Sequence, residues 1–91
     1  MQAETKEAVR KRLNRVEGQV RGIAKMVETD RYCIDVVTQI AAVRAALRKI
    51  EEAVIRDHVG HCVADAIRSG DPEDQRRKVD ELIEVIGRAE R

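Results

Sequence analysis

Ninety-one residues with no Trp, no Phe and a single Tyr suit one domain, 1–91, whose core must come from Val, Ile, Leu and Ala, so a lone chain is marginal and oligomerisation is the expected remedy. No apolar run of about 18 residues and no signal-peptide core is present, which points to a cytoplasmic protein with no membrane partner. The net charge of +1 hides a polarity, since residues 1–25 carry seven Lys or Arg against three acids and residues 51–91 carry seven against eleven.

In chain order, the first element is a helix from about Thr5 to Glu28. Its apolar residues Val9, Leu13, Val16, Val20, Ile23 and Val27 alternate steps of four and three, as a helix-packing seam requires. Lys11, Arg12 and Arg15 lie off that seam, and Arg21 and Lys25 extend the basic surface. Gly18 and Gly22 share the face of Lys11 and Arg15 and would each cost a helix about 1 kcal/mol relative to Ala, so each implies close approach of another backbone, from a packed helix or from DNA. Thr29–Tyr32 break the period, with Asp30 or a neighbour placed to cap the next helix.

From Cys33 to Arg68 the only Gly or Pro is Gly60, which predicts one long central helix with Ile34, Val37, Ile40, Ala41, Leu47, Ile50 and Val54 on its apolar side. Arg44, Arg48 and Lys49 lie on this helix and would join the basic surface across an assembly. Ser69–Gly70–Asp71–Pro72 then reads as a stop and a restart, with Gly70 ending one helix, Asp71 capping the next and Pro72 in its first turn. Val79, Leu82, Ile83 and Ile86 give the third helix its apolar face. The fold class is therefore all-α, a three-helix protomer.

The long helix carries Cys33, His58 and Cys62. His58 lies 25 residues after Cys33, roughly 37 Å along a continuous helix, so one chain cannot bring all three to one atom. At about 100° per residue, however, the three point the same way. If a second copy packs antiparallel with a twofold axis near Ala46 and Leu47, Cys33 of one chain meets His58 and Cys62 of the other, and two identical sites result. Two thiolates and an imidazole are a soft donor set that favours Cu(I) and admits Zn(II) as competitor. His61 is offset by about 60° from His58 and about 100° from Cys62, a poor position for a fourth ligand. No glycine loop or oxyanion nest accompanies a Cys-His-acid triad, so neither an enzyme nor a small-molecule substrate is expected.

Three segments, Leu13–Ile23, Asp30–Ile40 and His58–Cys62, resemble the CsoR/RcnR family of helical metal-responsive repressors over nearly the whole chain. Cys33, His58 and Cys62 match the Cys-His-Cys pattern of its copper-sensing CsoR branch. The resemblance implies an antiparallel dimer with intersubunit sites, a homotetramer formed as a disc-like dimer of dimers, and Cu(I) held by Cys33 of one protomer with His58 and Cys62 of another. It also implies that Tyr32, just before the first cysteine, and a third-helix glutamate, best matched by Glu81, orient the histidine. Operator DNA would be bound by the metal-free protein and released on Cu(I) binding, which lifts repression of copper-resistance or efflux genes. No helix-turn-helix, zinc-finger or ribbon signature is present, so DNA recognition is assigned to the basic surface. Alternatives within the same fold are a persulfide or other thiol-reactive sensor using Cys33 and Cys62, or a nickel- or zinc-responsive relative. A structural helical adaptor with incidental cysteines is the alternative from another class.

Overall fold

The computed structural model describes residues 1–89, and nearly all of them are helical. Helix α1 spans Ala3–Glu28, α2 spans Cys33–His58, a π-helical turn occupies Val59–Val63, α3 is Ala64–Ser69 and α4 is Pro72–Ala89. The three predicted helices are present, but the long central one is not a uniform α-helix. Its hydrogen bonding shifts register at Val59–Val63, around Gly60. π turns inside α-helices are uncommon and gather at functional sites.

In the α1–α2 turn it is the neighbour Tyr32, not Asp30, that takes the N-cap position of α2, while Asp30 closes α1. It adopts the left-handed conformation, φ 57°. The Asp30 N–H donates to the Val27 carbonyl at 3.2 Å and the Arg31 N–H to the Met26 carbonyl at 2.9 Å, the two bonds of a Schellman closure. Asp tolerates this conformation better than most residues. The residue at the start of α2 is Tyr32, whose carbonyl accepts from the Asp35 and Val36 N–H groups at 3.0 and 3.2 Å.

The second turn follows the sequence reading. Gly70 is left-handed, φ 71°, and the Asp71 carboxylate accepts from the Glu73 N–H at 3.1 Å, satisfying a free donor at the α4 N-terminus behind Pro72.

Helices α1 and α2 form a hairpin whose core is Val9, Val16, Val43 and Ile50, with Ile23, Ala46, Ala53 and Val54 partly buried against it. Burial of each of these Val and Ile side chains favours folding by about 1.5–3 kcal/mol. The α1 seam divides in two. Val9, Val16 and Ile23 face α2, whereas Leu13, Val20 and Val27 are 44%, 49% and 60% exposed. The Cα envelope measures 58 × 28 × 13 Å, so the chain is one layer of helices, too thin to enclose a core on both sides. Among the described residues no helix is long and apolar enough to cross a membrane.

Candidate metal centre

Cys33 is the first residue of α2 and carries an exposed free thiol; His58 is the last residue of α2 and Cys62 lies in the π turn, both half-buried. The 26 residues of α2 hold Cys33 and His58 roughly 37 Å apart at 1.5 Å per residue. Among the described residues, no three His, Cys, Asp or Glu side chains come together within the chain in a way that could hold a metal. The π turn acts on the other pair. Four residues overshoot one α-turn by about 40°, and the wider turn advances each residue by a smaller angle, which takes back that overshoot between His58 and Cys62.

His58 opens onto a recess of about 240 Å3 lined by Val54, Ile55, Glu81, Leu82 and Val85. That volume lies below the range of about 300–1,000 Å3 usual for small-molecule pockets. Glu81 of α4 shares this recess with the candidate ligand His58. Glu81 is also 3.9 Å from the Lys78 ammonium. Tyr32, immediately before Cys33, is 69% exposed and remote from His58 along α2.

His61 is exposed and faces the start of α1. Its Nδ1 lies 3.4 Å from Gln2 Nε2 and its Nε2 4.0 Å from Asp65 Oδ2. Beside it, the Gln2 backbone N–H donates to both Asp57 carboxylate oxygens at 3.3 and 3.4 Å. The Thr5 hydroxyl above all holds the Asp57 carboxyl below its ordinary value, against desolvation, which is the next largest influence and raises it, and with lesser help from the Gln2 N–H, the N-terminal amine and His61. This clasp ties the head of α1 to the end of α2. The sequence signal for the π turn was only Gly60, and the clasp had none, because Gln2 lies 55 residues from Asp57 and 59 from His61.

The basic residues separate into groups. Arg12, Arg15 and Lys49 surround one open recess between α1 and α2, floored by Val16, Ala42, Ala45 and Ala46. Lys11 lies on the adjoining face with Glu4 and Glu7. Arg21 sits 3.9 Å from Glu17, and Lys25 is in the last turn of α1. Gly18 and Gly22 lie between these residues, and an added Cβ at either would meet nothing within 4 Å, so neither glycine serves packing within the chain. Five residues before Lys49, Arg44 is about 140° round the helix from it and stands with Cys33 and His58; Arg48 lies between the two faces.

A profile of the metal-sensitive transcriptional repressor family matches residues 5–88. The chain belongs to that family. Metal-sensitive transcriptional repressors are regulators, not enzymes, and act on DNA. The chain is 51% identical over 81 residues to the copper-sensing transcriptional repressor CsoR of Bacillus subtilis strain 168, covering 89% of this chain and 77% of that one. It is 58% identical over 62 residues to the copper-sensing transcriptional repressor RicR of Mycobacterium tuberculosis H37Rv, covering 68% of this chain and 65% of RicR, just under two thirds of its length. The fold is similar over 100% of this chain to 92% of the copper-sensing repressor CsoR with Cu(I) from Geobacillus thermodenitrificans NG80-2, with a TM-score of 0.90 and 45% identity. The all-α repressor fold expected from the sequence is thus borne out.

Proposed function

We propose that this chain is a Cu(I)-sensing repressor, a single domain that binds operator DNA in the cytoplasm as metal-free protein and releases it when Cu(I) binds. The observation that carries this reading is the separation of Cys33, at the start of α2, from His58 at its end and Cys62 in the π turn beyond, with a common face expected from their spacing, in a family whose members at 51% and 45% identity to this chain are named copper sensors. A second protomer packed antiparallel would complete two Cys-His-Cys sites, and the exposed Leu13, Val20 and Val27 would supply a further face for a tetramer.

The donor set fits the ion. Both cysteines are free, two thiolates and one imidazole suit a soft ion of low coordination number, and among the described residues no carboxylate cluster is present to favour a hard one. Cys33 with the partner's His58 and the partner's Cys62 would hold Cu(I), whose bonds to residues of two chains tie the ends of the helix pair together. Glu81 and Tyr32 would orient the ligands, since an imidazole bound through one nitrogen usually donates its other N–H to an oxygen acceptor.

DNA would lie on the face formed by Lys11, Arg12, Arg15, Lys25 and Lys49, where the bare backbone of Gly18 and Gly22 admits phosphates closely; Arg21 and Arg48 flank it. Such contacts give affinity and salt dependence more than sequence readout. Release follows from linkage: if Cu(I) weakens DNA binding, DNA weakens Cu(I) binding by the same factor, and a coupling of about 1–3 kcal/mol suffices for a switch.

The test is fluorescence anisotropy of labelled operator DNA during a Cu(I) titration, with X-ray absorption on the same samples. Release at one Cu(I) per protomer, with a two-sulfur, one-nitrogen coordination shell, is expected. Release by persulfide with copper withheld, and none by Cu(I), would replace this reading with a thiol sensor; response to Ni(II) or Zn(II) alone would replace it with another metal.

A further inference from the structure

Helix α2 presents two faces. Val43 and Ile50 are buried against α1, whereas Val37, Ile40 and Leu47 are 59%, 43% and 43% exposed. The exposed residues belong to one stripe with steps of four and three that runs from Cys33 through Val37, Ile40, Arg44, Leu47, Glu51 and Val54 to His58, within about 60° of a common direction. Arg44 and Glu51 are the only formally charged side chains on it, and they stand either side of Leu47, at its centre.

Among the described residues no ion pair involves Arg44 or Glu51, and the residues three and four away from Arg44 are Ile40, Ala41, Leu47 and Arg48, none of them acidic. The two are seven residues apart, about 10 Å along the helix, beyond the reach of an ion pair with each other. Covering this stripe with an apolar partner would strand both charges, at a cost that forbids it. The occupant must therefore be charged in a complementary way, and a second copy is.

Pairing Cys33 with the partner's His58 and with the partner's Cys62 puts the antiparallel twofold axis between positions 45.5 and 47.5, and the midpoint of Arg44 and Glu51 is 47.5. In that register Arg44 faces the partner's Glu51, and the pair occurs twice. A slip of one heptad in one direction sets Arg44 against the partner's Arg44; in the other, it sets Glu51 against the partner's Glu51. Either slip also displaces Cys33 by about 10 Å from the partner's Cys62. Charges that are matched in one register and opposed in its neighbours are the usual means of fixing helix alignment.

We propose that Arg44 and Glu51 form two reciprocal ion pairs across an α2–α2 twofold axis and set the register in which Cys33 meets the partner's His58 and the partner's Cys62. This rests on the intersubunit reading of the trio, and it moves Arg44 from the DNA surface to the protomer interface. Both are positioning residues, acting on the metal site through helix alignment.

The experiment uses R44E, E51R, a 1:1 mixture of the two and the double variant R44E/E51R. A homodimer of R44E carries four acids at the axis and one of E51R four bases, whereas the mixed dimer and the double variant are complementary again. Sedimentation equilibrium without metal is expected to show self-association weakened about tenfold or more in each single variant and restored in the mixture and the double variant. Cu(I) affinity, measured by chelator competition, should follow the same order. Single variants that associate and bind Cu(I) like the wild type, or a mixture no stronger than its components, would overturn the proposal; loss of DNA binding by R44E with association intact would return Arg44 to the DNA surface. Because association is read without copper, failure of the copper reading shows separately, as a wild-type chain that assembles but does not bind Cu(I).

Discussion

His58, the last residue of α2, and Glu81, midway along α4, line one recess with Val54, Ile55, Leu82 and Val85. A carboxylate beside a candidate ligand imidazole can hold its tautomer and ring orientation. In the proposed switch this shared recess would couple α4 to what His58 binds. Replacing Glu81 with Ala is expected to leave metal-free DNA binding within about twofold of wild type and to cut Cu(I)-driven release by about tenfold or more. Operator anisotropy with and without Cu(I) measures both, and unchanged release would disconnect α4 from the switch.

Arg15 shares its recess with Arg12 and Lys49, whereas Arg10 is held by Glu7 at 2.7 Å about 140° round the same helix. Arg15→Ala should weaken operator binding at every sequence tested and lower the slope of log K against log salt by about 0.9 for each phosphate that Arg15 neutralises. Arg10→Ala is the control, with the slope unchanged. Equal slopes for the two variants would remove Arg15 from the DNA-binding surface.

Whether a feature could be read from the sequence depended on how local its chemistry is. Gly70, Asp71 and Pro72 each favour one backbone role, and the structure uses all three in those roles. Asp30 suits both a helix start and a left-handed helix end, and only the bonds at Val27 and Met26 decide between them. The seam from Val9 to Val27 was visible as a pattern, yet nothing in an apolar side chain tells whether it meets its own chain, as Val16 does, or is left for another, as Leu13 is. The common face expected for Cys33, His58 and Cys62 rests on angle alone. The π turn did not, because a shift of hydrogen-bond register leaves residue composition unchanged. The Gln2–Asp57 clasp pairs the two ends of the helical hairpin, a distance over which residue spacing carries no signal.

That clasp makes stability depend on pH. The Thr5 hydroxyl and Gln2 N–H hold the Asp57 carboxyl below its ordinary value, so the folded state favours the ionised form more than the unfolded chain does. The resulting stabilisation is present in full above the unfolded carboxyl's titration and is lost as pH falls through the lower, folded value. Asp57→Asn keeps an acceptor but cannot titrate. Thermal melting from neutral pH into the acid range should show the wild type losing more of its melting temperature than Asp57→Asn; parallel curves would mean that the clasp contributes nothing.

Gly60 separates two roles of the π turn. The space beyond its Cα is open, so Gly60→Ala adds a methyl without collision and should stabilise the helical turn by up to about 1 kcal/mol, with Cu(I) affinity unchanged. Deleting Gly60 acts on register. The turn loses the residue that widens it and closes to an ordinary α-turn, so the helix beyond keeps nearly its orientation, but His58 and Cys62 become three apart, about 60° short of a full turn. Circular dichroism of the deletion variant should show helix content close to wild type, while Cu(I) affinity falls by about tenfold or more. The face of α1 that carries Arg12 and Arg15 precedes the deletion, so metal-free DNA binding should persist. A deletion variant that bound Cu(I) as tightly as wild type would show that the widened turn is incidental to the alignment of His58 with Cys62.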